Sequence, residues 1–225
     1  MTAPEPCLEA LRVLGHELRR PLTVIRGAAT LLVDDGERLP ATSRRQMLSM
    51  IDASAVTMAD LIDDLLTAAQ LESGDLDLAT EPVVLSEVVA EAVEAAHRTA
   101  PDRSIEVEGL DGLEVQADRE QALRALRALL VNALQFSPED SLVQVVVSAD
   151  ARTASVWVTD HGTGIPVAQR EIVFGKFARL GRRGEGAGLG LFLARGLARA
   201  MGGDVRIIDR EDGGTSVCFT LERRD

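Results

Sequence analysis

Apolar residues recur every three or four positions along the first third of the chain, a pattern typical of long amphipathic helices. The first series consists of Leu8, Leu11, Leu18, Leu22, Ile25, Ala29 and Leu32. After a stretch rich in turn residues (34–43), the second series consists of Met47, Ile51, Ser54, Met58, Leu61, Leu65 and Ala68, widened by Ile62 and Leu66. We predict two long antiparallel helices. Their apolar faces are so wide that a second copy of the chain is expected to complete a four-helix bundle.

The pattern changes after Glu72-Ser73-Gly74-Asp75, where the second helix is predicted to end. Beyond it, helices are predicted over 86–100, with Ser86 as the N-cap, over 119–136, capped by Asp118, and over 189–201. Short strands are predicted over 104–108, 113–117, 142–148, 154–159, 204–209 and 215–221. We therefore divide the chain into an all-α helical hairpin (1–74), a linker (75–82) and an α/β two-layer sandwich (83–225).

Composition and charge exclude several classes of protein. The 225 residues, 46% of them apolar and 27% charged, lie in the range of globular domains. No apolar run reaches the ~18 residues that span a bilayer, and the N-terminus lacks signal-peptide features, so we expect a cytoplasmic chain without a membrane segment. The net charge of −12 argues against nucleic acid as a partner. Cys7 and Cys218 form neither a C-x-x-C motif nor a disulfide framework.

Four segments of the C-terminal part combine polar residues with glycines. They are Asn132 with the following Phe136-Ser137-Pro138, Asp160-His161-Gly162-Thr163-Gly164, Phe174-Gly175-Lys176-Phe177-Ala178-Arg179, and Gly186-Ala187-Gly188-Leu189-Gly190. The last segment opens a predicted helix, whose N–H groups and dipole attract anions. Neither a P-loop nor a dinucleotide fingerprint at a strand-to-helix turn is present in the sequence.

In order and spacing, these segments resemble the N, G1, F and G2 boxes of the sensor histidine kinases of two-component systems. Gly213-Gly214-Thr215 resembles the final glycine element of that family. Independently, Gly15-His16-Glu17-Leu18-Arg19-Arg20-Pro21-Leu22-Thr23 resembles the H box, which carries the phosphorylated histidine. The resemblance covers most of the chain and implies a Bergerat-type ATP-binding fold for its second domain.

The resemblance also implies a role for each matched residue. His16 would attack the γ-phosphorus of ATP, because a neutral imidazole keeps a lone pair, and Glu17 would accept the proton of the other ring nitrogen. Asp160 would accept a hydrogen bond from the adenine amino group, and Asn132 would coordinate Mg²⁺. The other nucleotide-binding residues would be Phe136, Gly162, Gly164, Phe177, Arg179, Gly186, Gly188 and Gly190. Taken singly, each residue also has a structural interpretation, such as a turn aspartate or a core phenylalanine.

The expected function is ATP-dependent autophosphorylation of His16, followed by transfer to an aspartate of a response-regulator receiver domain. Three residues depart from the family pattern. Ala128 replaces the first Asn of N-x-x-x-N, Gln135 stands where a lysine often contacts phosphate, and Arg20 stands where Thr or Asn assists dephosphorylation of the partner. Two alternatives therefore stay open: a phosphotransfer or scaffold protein with a degenerate nucleotide pocket, and an ATPase of the gyrase and heat-shock chaperone superfamily.

Overall fold

The computed structural model describes residues 5–109, 111–179, 186–208, 210 and 213–223, with side-chain surroundings from residue 12 onward. The chain divides between Thr67 and Ala68 into two compact units. The first unit is helical, and the second combines strands with helices. The predicted fold class, a helical region followed by an α/β domain, is therefore confirmed.

The first unit is built from two long helices, α1 (Glu5–Asp35) and most of α2 (Ala41–Ser73). The turn between them is closed by N–H groups of Arg38 and Leu39, which donate to the carbonyl of Asp35. Many large apolar side chains of this unit are exposed: Leu22, Val24, Leu31, Val33, Leu48, Met50, Val56, Ile62 and Leu66. A single hairpin thus leaves much of its apolar surface uncovered.

Among the described residues, no helix has both the length and the apolar character that crossing a bilayer requires.

The second unit contains the predicted α/β elements, with every predicted end displaced by no more than one residue. Its helices are α3 (Leu85–Thr99), α4 (Arg119–Phe136) and α5 (Gly190–Ala200). Its strands are β1 (Glu81–Val84), β2 (Ile105–Gly109), β3 (Glu114–Ala117), β4 (Val143–Ala149), β5 (Thr153–Asp160), β6 (Asp204–Ile208) and β7 (Thr215–Glu222). Two short 3-10 helices cover Val167–Gln169 and Ile172–Phe174.

Five of the strands form one sheet in the order β2-β4-β5-β7-β6, in which only the β2–β4 pair is parallel. Along β5 every second residue is buried, ending with Val156, Val158 and Asp160, while the residues between them are half-buried. Side chains with this period of two point to the same face of the sheet. Buried leucines of α4 and α5, such as Leu130 and Leu197, share one core with these strand residues, so the helices cover that face.

The segment before α3 differs from the sequence prediction. β1 begins at Glu81, inside the predicted linker, and pairs antiparallel with β3. The prediction that Ser86 caps α3 is wrong, because the helix begins at Leu85 and no side chain caps it. Instead, the Leu85 N–H donates to the carbonyl of Leu113 (2.9 Å), so strand pairing leads directly into the helix. A short strand containing Pro82 carries too weak a pattern to be recognised from the sequence.

The predicted cap of α4 is confirmed and also reaches beyond the helix. One carboxylate oxygen of Asp118 accepts from the Gln121 N–H (3.1 Å). The other oxygen accepts from the Ala79 N–H (2.9 Å), while Leu76 and Leu78 pack against the core. The stretch between α2 and β1 is therefore attached to the second unit along much of its length.

Candidate functional site

Asp160 is a carboxylate buried at the end of β5, with 2% of its surface exposed. The strand alternation points it toward the helix layer, where an apolar residue would be expected. One of its oxygens accepts from the Gly162 N–H (2.7 Å) and the Thr215 N–H (3.2 Å). Burial raises the pKa of Asp160 above its ordinary value, although the hydrogen bonds from Gly162 and Thr215 oppose that shift. The site thus holds a preorganised acceptor in apolar surroundings.

The turn that follows Asp160 is packed between two other elements. A Cβ atom at Gly162 would overlap the carbonyl oxygen of Phe136, at the end of α4. On the other side, Gly214 has a φ of 78° and no room for a side chain beside the Asp160 backbone. Gly164 also approaches Gly214, whose carbonyl oxygen would lie 3.0 Å from an added Cβ. The G1 segment, the end of the N segment and the final glycine element therefore meet at one place.

Asn132 lies half-buried on α4, between two of these contacts. Phe136 follows it by four residues and touches Gly162 through its carbonyl. Ala128 precedes it by four residues, and an added Cβ at Gly190, the first residue of α5, would lie 3.8 Å from the Ala128 methyl. Residues four apart share a helix face. Asn132 thus lies on the same side of α4 as Ala128, which faces the start of α5, and one turn before Phe136, whose carbonyl approaches the G1 turn.

The F segment packs against the G2 glycines. Phe177 has a φ of 62°, an unusual conformation for a residue other than glycine, and it is half-buried. Gly188 has a φ of 69°, and a Cβ there would lie 2.7 Å from the carbonyl oxygen of Ala178 and 2.9 Å from the carbonyl carbon of Phe177. Both the positive φ and the lack of room for a Cβ atom require glycine at this position. Gly188 therefore has a packing role in addition to any contact with phosphate.

The remaining predicted nucleotide-binding residues are Phe136, Arg179 and Gly186. Phe136 keeps 39% of its surface exposed, and Arg179 is exposed and engaged in a polar interaction. Gly186 has a φ of 103° with open space at its Cβ position. Residues 180–185, including two arginines, lie outside the described residues.

The candidate phosphoacceptor belongs to the first unit. His16 is exposed on α1, and the neighbouring Glu17 is half-buried and has a polar partner. Pro21 lies inside the same helix, five residues further on, and is buried. The imidazole is thus accessible on the helix surface. Such exposure is necessary for a group that must react with a second molecule or domain.

Comparison with known families covers both units. Residues 8–74 match the His Kinase A (phospho-acceptor) domain, and residues 117–225 match the histidine kinase-, DNA gyrase B- and HSP90-like ATPase family. A solved structure of the mycobacterial sensor histidine kinase MprB is 31% identical, with a TM-score of 0.60, over 64% of this chain and 99% of that chain. This chain belongs to the sensor histidine kinases of two-component systems.

Relatives of this histidine kinase extend the match along the chain. The signal transduction histidine-protein kinase/phosphatase MprB of Mycobacterium tuberculosis is 34% identical over 93% of this chain and 43% of its own length. A structure of full-length ShkA in complex with AMPPNP is 26% identical, with a TM-score of 0.68, over 96% of this chain and 46% of that one. The kinase chain spans less than half the length of the curated relatives that it matches first.

Asn132 is the residue predicted to bind a divalent cation together with the nucleotide. Among the described residues, no group of three or more His, Cys, Asp or Glu side chains could hold a metal ion. Asn132 presents an amide, whose oxygen is a hard ligand, from the half-buried face between the two glycine contacts. A single protein oxygen suits Mg²⁺, which otherwise keeps water and phosphate oxygens around it. The donor set is therefore compatible with Mg²⁺ bound together with a nucleotide.

Two residues of the kinase site were missed from the sequence. Thr215 hydrogen-bonds Asp160 through its backbone N–H and its hydroxyl group. Arg103 donates to the carbonyls of Leu134 (2.8 Å) and Pro138 (3.0 Å), at the end of the helix that carries Asn132. The Gly-Gly-Thr motif was a signal for Thr215, whereas nothing near Arg103 in the sequence indicates a contact 31 residues away.

Proposed function

We propose that this chain transfers the γ-phosphoryl group of ATP to His16 and then to an aspartate of a response-regulator receiver domain. Residues 1–74 would serve as the dimerisation and phosphoacceptor hairpin, and residues 83–225 would bind ATP in the cytoplasm. The observation that carries the proposal is the coexistence of an exposed H-box histidine with a buried Asp160. A scaffold without nucleotide chemistry has no need of a preorganised carboxylate among apolar residues, because burying such a group is costly.

The nucleotide would lie over the G1 turn. Asp160 accepts a hydrogen bond from the exocyclic amino group of adenine, and the glycines beside it leave the backbone open to close approach. The start of α5 offers free N–H groups and the positive end of a helix dipole to the phosphates. Mg²⁺, when bound at Asn132, would neutralise charge on the phosphates. ShkA, a relative of similar fold, was solved in complex with AMPPNP, which supports nucleotide binding by a chain of this family.

The transfer requires little from the protein beyond positioning. A ring nitrogen of His16 forms a bond to the γ-phosphorus as the bond from that phosphorus to the β–γ bridging oxygen breaks, and ADP leaves. Glu17 orients the imidazole and accepts the proton from its other nitrogen. The receiver-domain carboxylate then forms a bond to phosphorus as the bond from phosphorus to the His16 nitrogen breaks. The proton held by Glu17 returns to the ring, and His16 is again a neutral imidazole.

Labelling with γ-³²P ATP and Mg²⁺ tests the proposal. The wild-type chain should acquire a label that is labile in acid and stable in base, as expected for phosphohistidine. The chain contains three histidines, so His97→Gln and His161→Gln are matched controls for His16→Gln. Only His16→Gln should abolish the label, and a label that survives this substitution would contradict the assignment of His16.

The same experiment separates the two alternatives. A protein with a degenerate pocket would acquire no label from ATP but would accept a phosphoryl group from a phosphorylated receiver domain. An ATPase would release phosphate steadily, and the release would survive His16→Gln. Ala128 does not by itself favour the degenerate pocket, because its small side chain faces Gly190 at the start of α5.

Arg20 leads to a separate prediction for the reverse reaction. MprB is named a kinase/phosphatase, but Arg20 of this chain stands where the family pattern has Thr or Asn. We expect the wild-type chain to accelerate the decay of a phosphorylated receiver domain only weakly, and Arg20→Thr to accelerate it more. Strong acceleration by the wild-type chain would contradict this expectation.

A further inference from the structure

Arg195 is a nearly buried cation in α5, outside the family motifs discussed above. Its side chain is 13% exposed. The guanidinium carbon lies 4.4 Å from the centre of the Phe174 ring, within the range of a cation–π contact. Nη1 donates to Glu171 (2.7 Å), and Nε donates to Asp204 (3.0 Å). Through this side chain α5 is joined to the 3-10 helix Ile172–Phe174, to Glu171 just before it, and to the start of β6.

Two of these elements flank the nucleotide site. Phe174 ends the 3-10 helix and leads within three residues to Phe177, whose backbone packs against Gly188. Arg195 itself lies in the second turn of α5, which begins at Gly190 beside Ala128. The link through Arg195 thus fixes the entry to the F turn relative to the helix whose first residues would face the phosphates.

Neighbouring arginines share part of the network but not this link. Arg199 and Arg206 also donate to Asp204, at 3.0 and 3.3 Å. Their side chains are 57% and 72% exposed, and the ring contact to Phe174 is made by Arg195. Loss of either would weaken a surface ion pair, whereas loss of Arg195 would also release Phe174 and Glu171.

We propose that Arg195 is a positioning residue of the nucleotide site, which holds the F segment against the start of α5 through Phe174 and Glu171. The proposal rests on the proposed function, since it assumes that ATP binds beside these segments. Removing the guanidinium should leave the chain folded but allow the F turn to shift, and small displacements of a binding segment have large effects on affinity.

Arg195→Gln tests the proposal, with Arg199→Gln as the matched control. The dissociation constant of AMPPNP with Mg²⁺, and KM and kcat for labelling of His16, should be measured for the full chain. We expect Arg195→Gln to raise the dissociation constant and KM about tenfold, with a smaller change in kcat. Arg195→Lys keeps the charge but loses the planar guanidinium, which binds two carboxylates and stacks on a ring. Its dissociation constant and KM should therefore lie between those of the wild type and those of Arg195→Gln. Arg199→Gln should bind like the wild type.

A purely structural role for Arg195 would lower the melting temperature without changing the dissociation constant of the folded fraction. That result, or an equal loss of affinity in Arg199→Gln, would overturn the proposal. If Arg195→Gln does not fold, Arg195→Lys and Glu171→Gln give the same comparison, because each should weaken binding several-fold. A wild-type chain that binds AMPPNP but does not label His16 would refute the proposed function, while the binding comparison would still decide the role of Arg195.

Discussion

Asp160 is the residue on which adenine recognition depends in the proposed function. Its acceptor position is set by the end of β5 and by N–H groups of Gly162 and Thr215. Such hydrogen bonds hold the carboxylate in one orientation before any ligand arrives. The residue is therefore a fixed acceptor whose substitution should affect binding more than folding.

Asp160→Asn should lower the affinity for AMPPNP roughly ten- to hundredfold, because a hydrogen bond to a charged acceptor contributes about 1.5–3 kcal/mol. Calorimetric titration measures the change. Asp150→Asn is a suitable control, since Asp150 also accepts from nearby backbone N–H groups but is exposed in a turn. Unchanged binding by the Asp160 variant would remove this residue from the site.

The raised pKa of Asp160 adds a pH dependence. Burial makes the carboxyl group take up a proton at a higher pH than an ordinary aspartate, whose value is 3.8. Affinity for the nucleotide should therefore decline on the acid side from a pH above 3.8, and Asp160→Asn should lack this decline. For folding the sign is opposite: the contribution of Asp160 to stability is largest below pH 3.8 and falls as the pH rises toward the folded-state pKa.

Asp204 behaves in the opposite way to Asp160. Burial would raise its pKa, but hydrogen bonds from Arg195, the Val205 N–H, Arg199 and Arg206 lower it from 3.8 to about 2. Its contribution to stability is complete above pH 3.8 and is lost as the pH falls toward 2. We expect Asp204→Asn to lower the free energy of unfolding by about 2 kcal/mol at pH 7, which is the size of this shift in pKa.

Urea unfolding followed by the fluorescence of Trp157, the single tryptophan, measures the effect of Asp204→Asn in the second unit. The difference from the wild type should shrink between pH 4 and pH 2. A difference that is the same at both pH values would show that the ion pairs of Asp204 do not cause it.

At the scale of elements, α4 is the helix that joins the parts of the nucleotide site. It begins at the Asp118 cap, carries Asn132, and ends where Arg103 donates to the carbonyls of Leu134 and Pro138. The last carbonyls of a helix have no partner within it. Arg103, in the loop before β2, thus supplies a hydrogen-bond donor to a carbonyl at the end of α4 that has no donor within the helix.

Arg103→Gln should lower the free energy of unfolding by about 1–3 kcal/mol, because it leaves the part-buried carbonyl of Leu134 without a charged donor. The measurement is again urea unfolding followed through Trp157. Arg98→Gln is the control, since Arg98 makes an exposed pair with Glu94 that contributes at most a few tenths of a kcal/mol. Equal effects of the two substitutions would argue against the helix-end role of Arg103.

The elements themselves could be predicted well wherever the apolar pattern is long or the caps are strong. The alternation along β5 and the Asp118 cap are local features, and both were found. β1 and the way in which α3 begins without a side-chain cap could not be predicted, because the Leu85 N–H is bonded to the carbonyl of Leu113, which is distant in sequence. Motifs predicted roles for Asp160 and Asn132, and these roles stay predictions. The contacts of Thr215 and Arg195 could not be predicted, because they form only when the folded sheet and helices bring distant residues together.

At the scale of the whole molecule, the exposed apolar side chains of the hairpin point to a second copy of the chain. Ile62 and Leu66 are four residues apart on one face of α2 and are 47% and 59% exposed. Their burial in a four-helix bundle would remove apolar surface from water, at about 25 cal/mol for each Å². A homodimer is therefore the assembly that we expect.

Leu66→Glu and Ile62→Glu should convert the dimer to a monomer, because each places a charge in the apolar interface. Sedimentation or light scattering gives the mass. Ala53 is also exposed on α2 but lies nine residues before Ile62, on the opposite side of the helix, so Ala53→Glu should remain dimeric. A monomeric wild type, or equal dissociation in all three variants, would refute this interface.

One further feature affects how the molecule can be handled in the laboratory. Lys176, which pairs with Glu72 across 2.6 Å and lies 5.6 Å from the Phe177 ring centre, is the only lysine in the sequence. Amine-reactive dyes and surface-coupling reagents, which usually spread over many side chains, would have this one ε-amino group and the α-amino terminus as targets. Immobilisation by that chemistry would attach the matrix beside the proposed nucleotide site, so we expect a sensor chip prepared in this way to report weakened ATP binding by an intact protein.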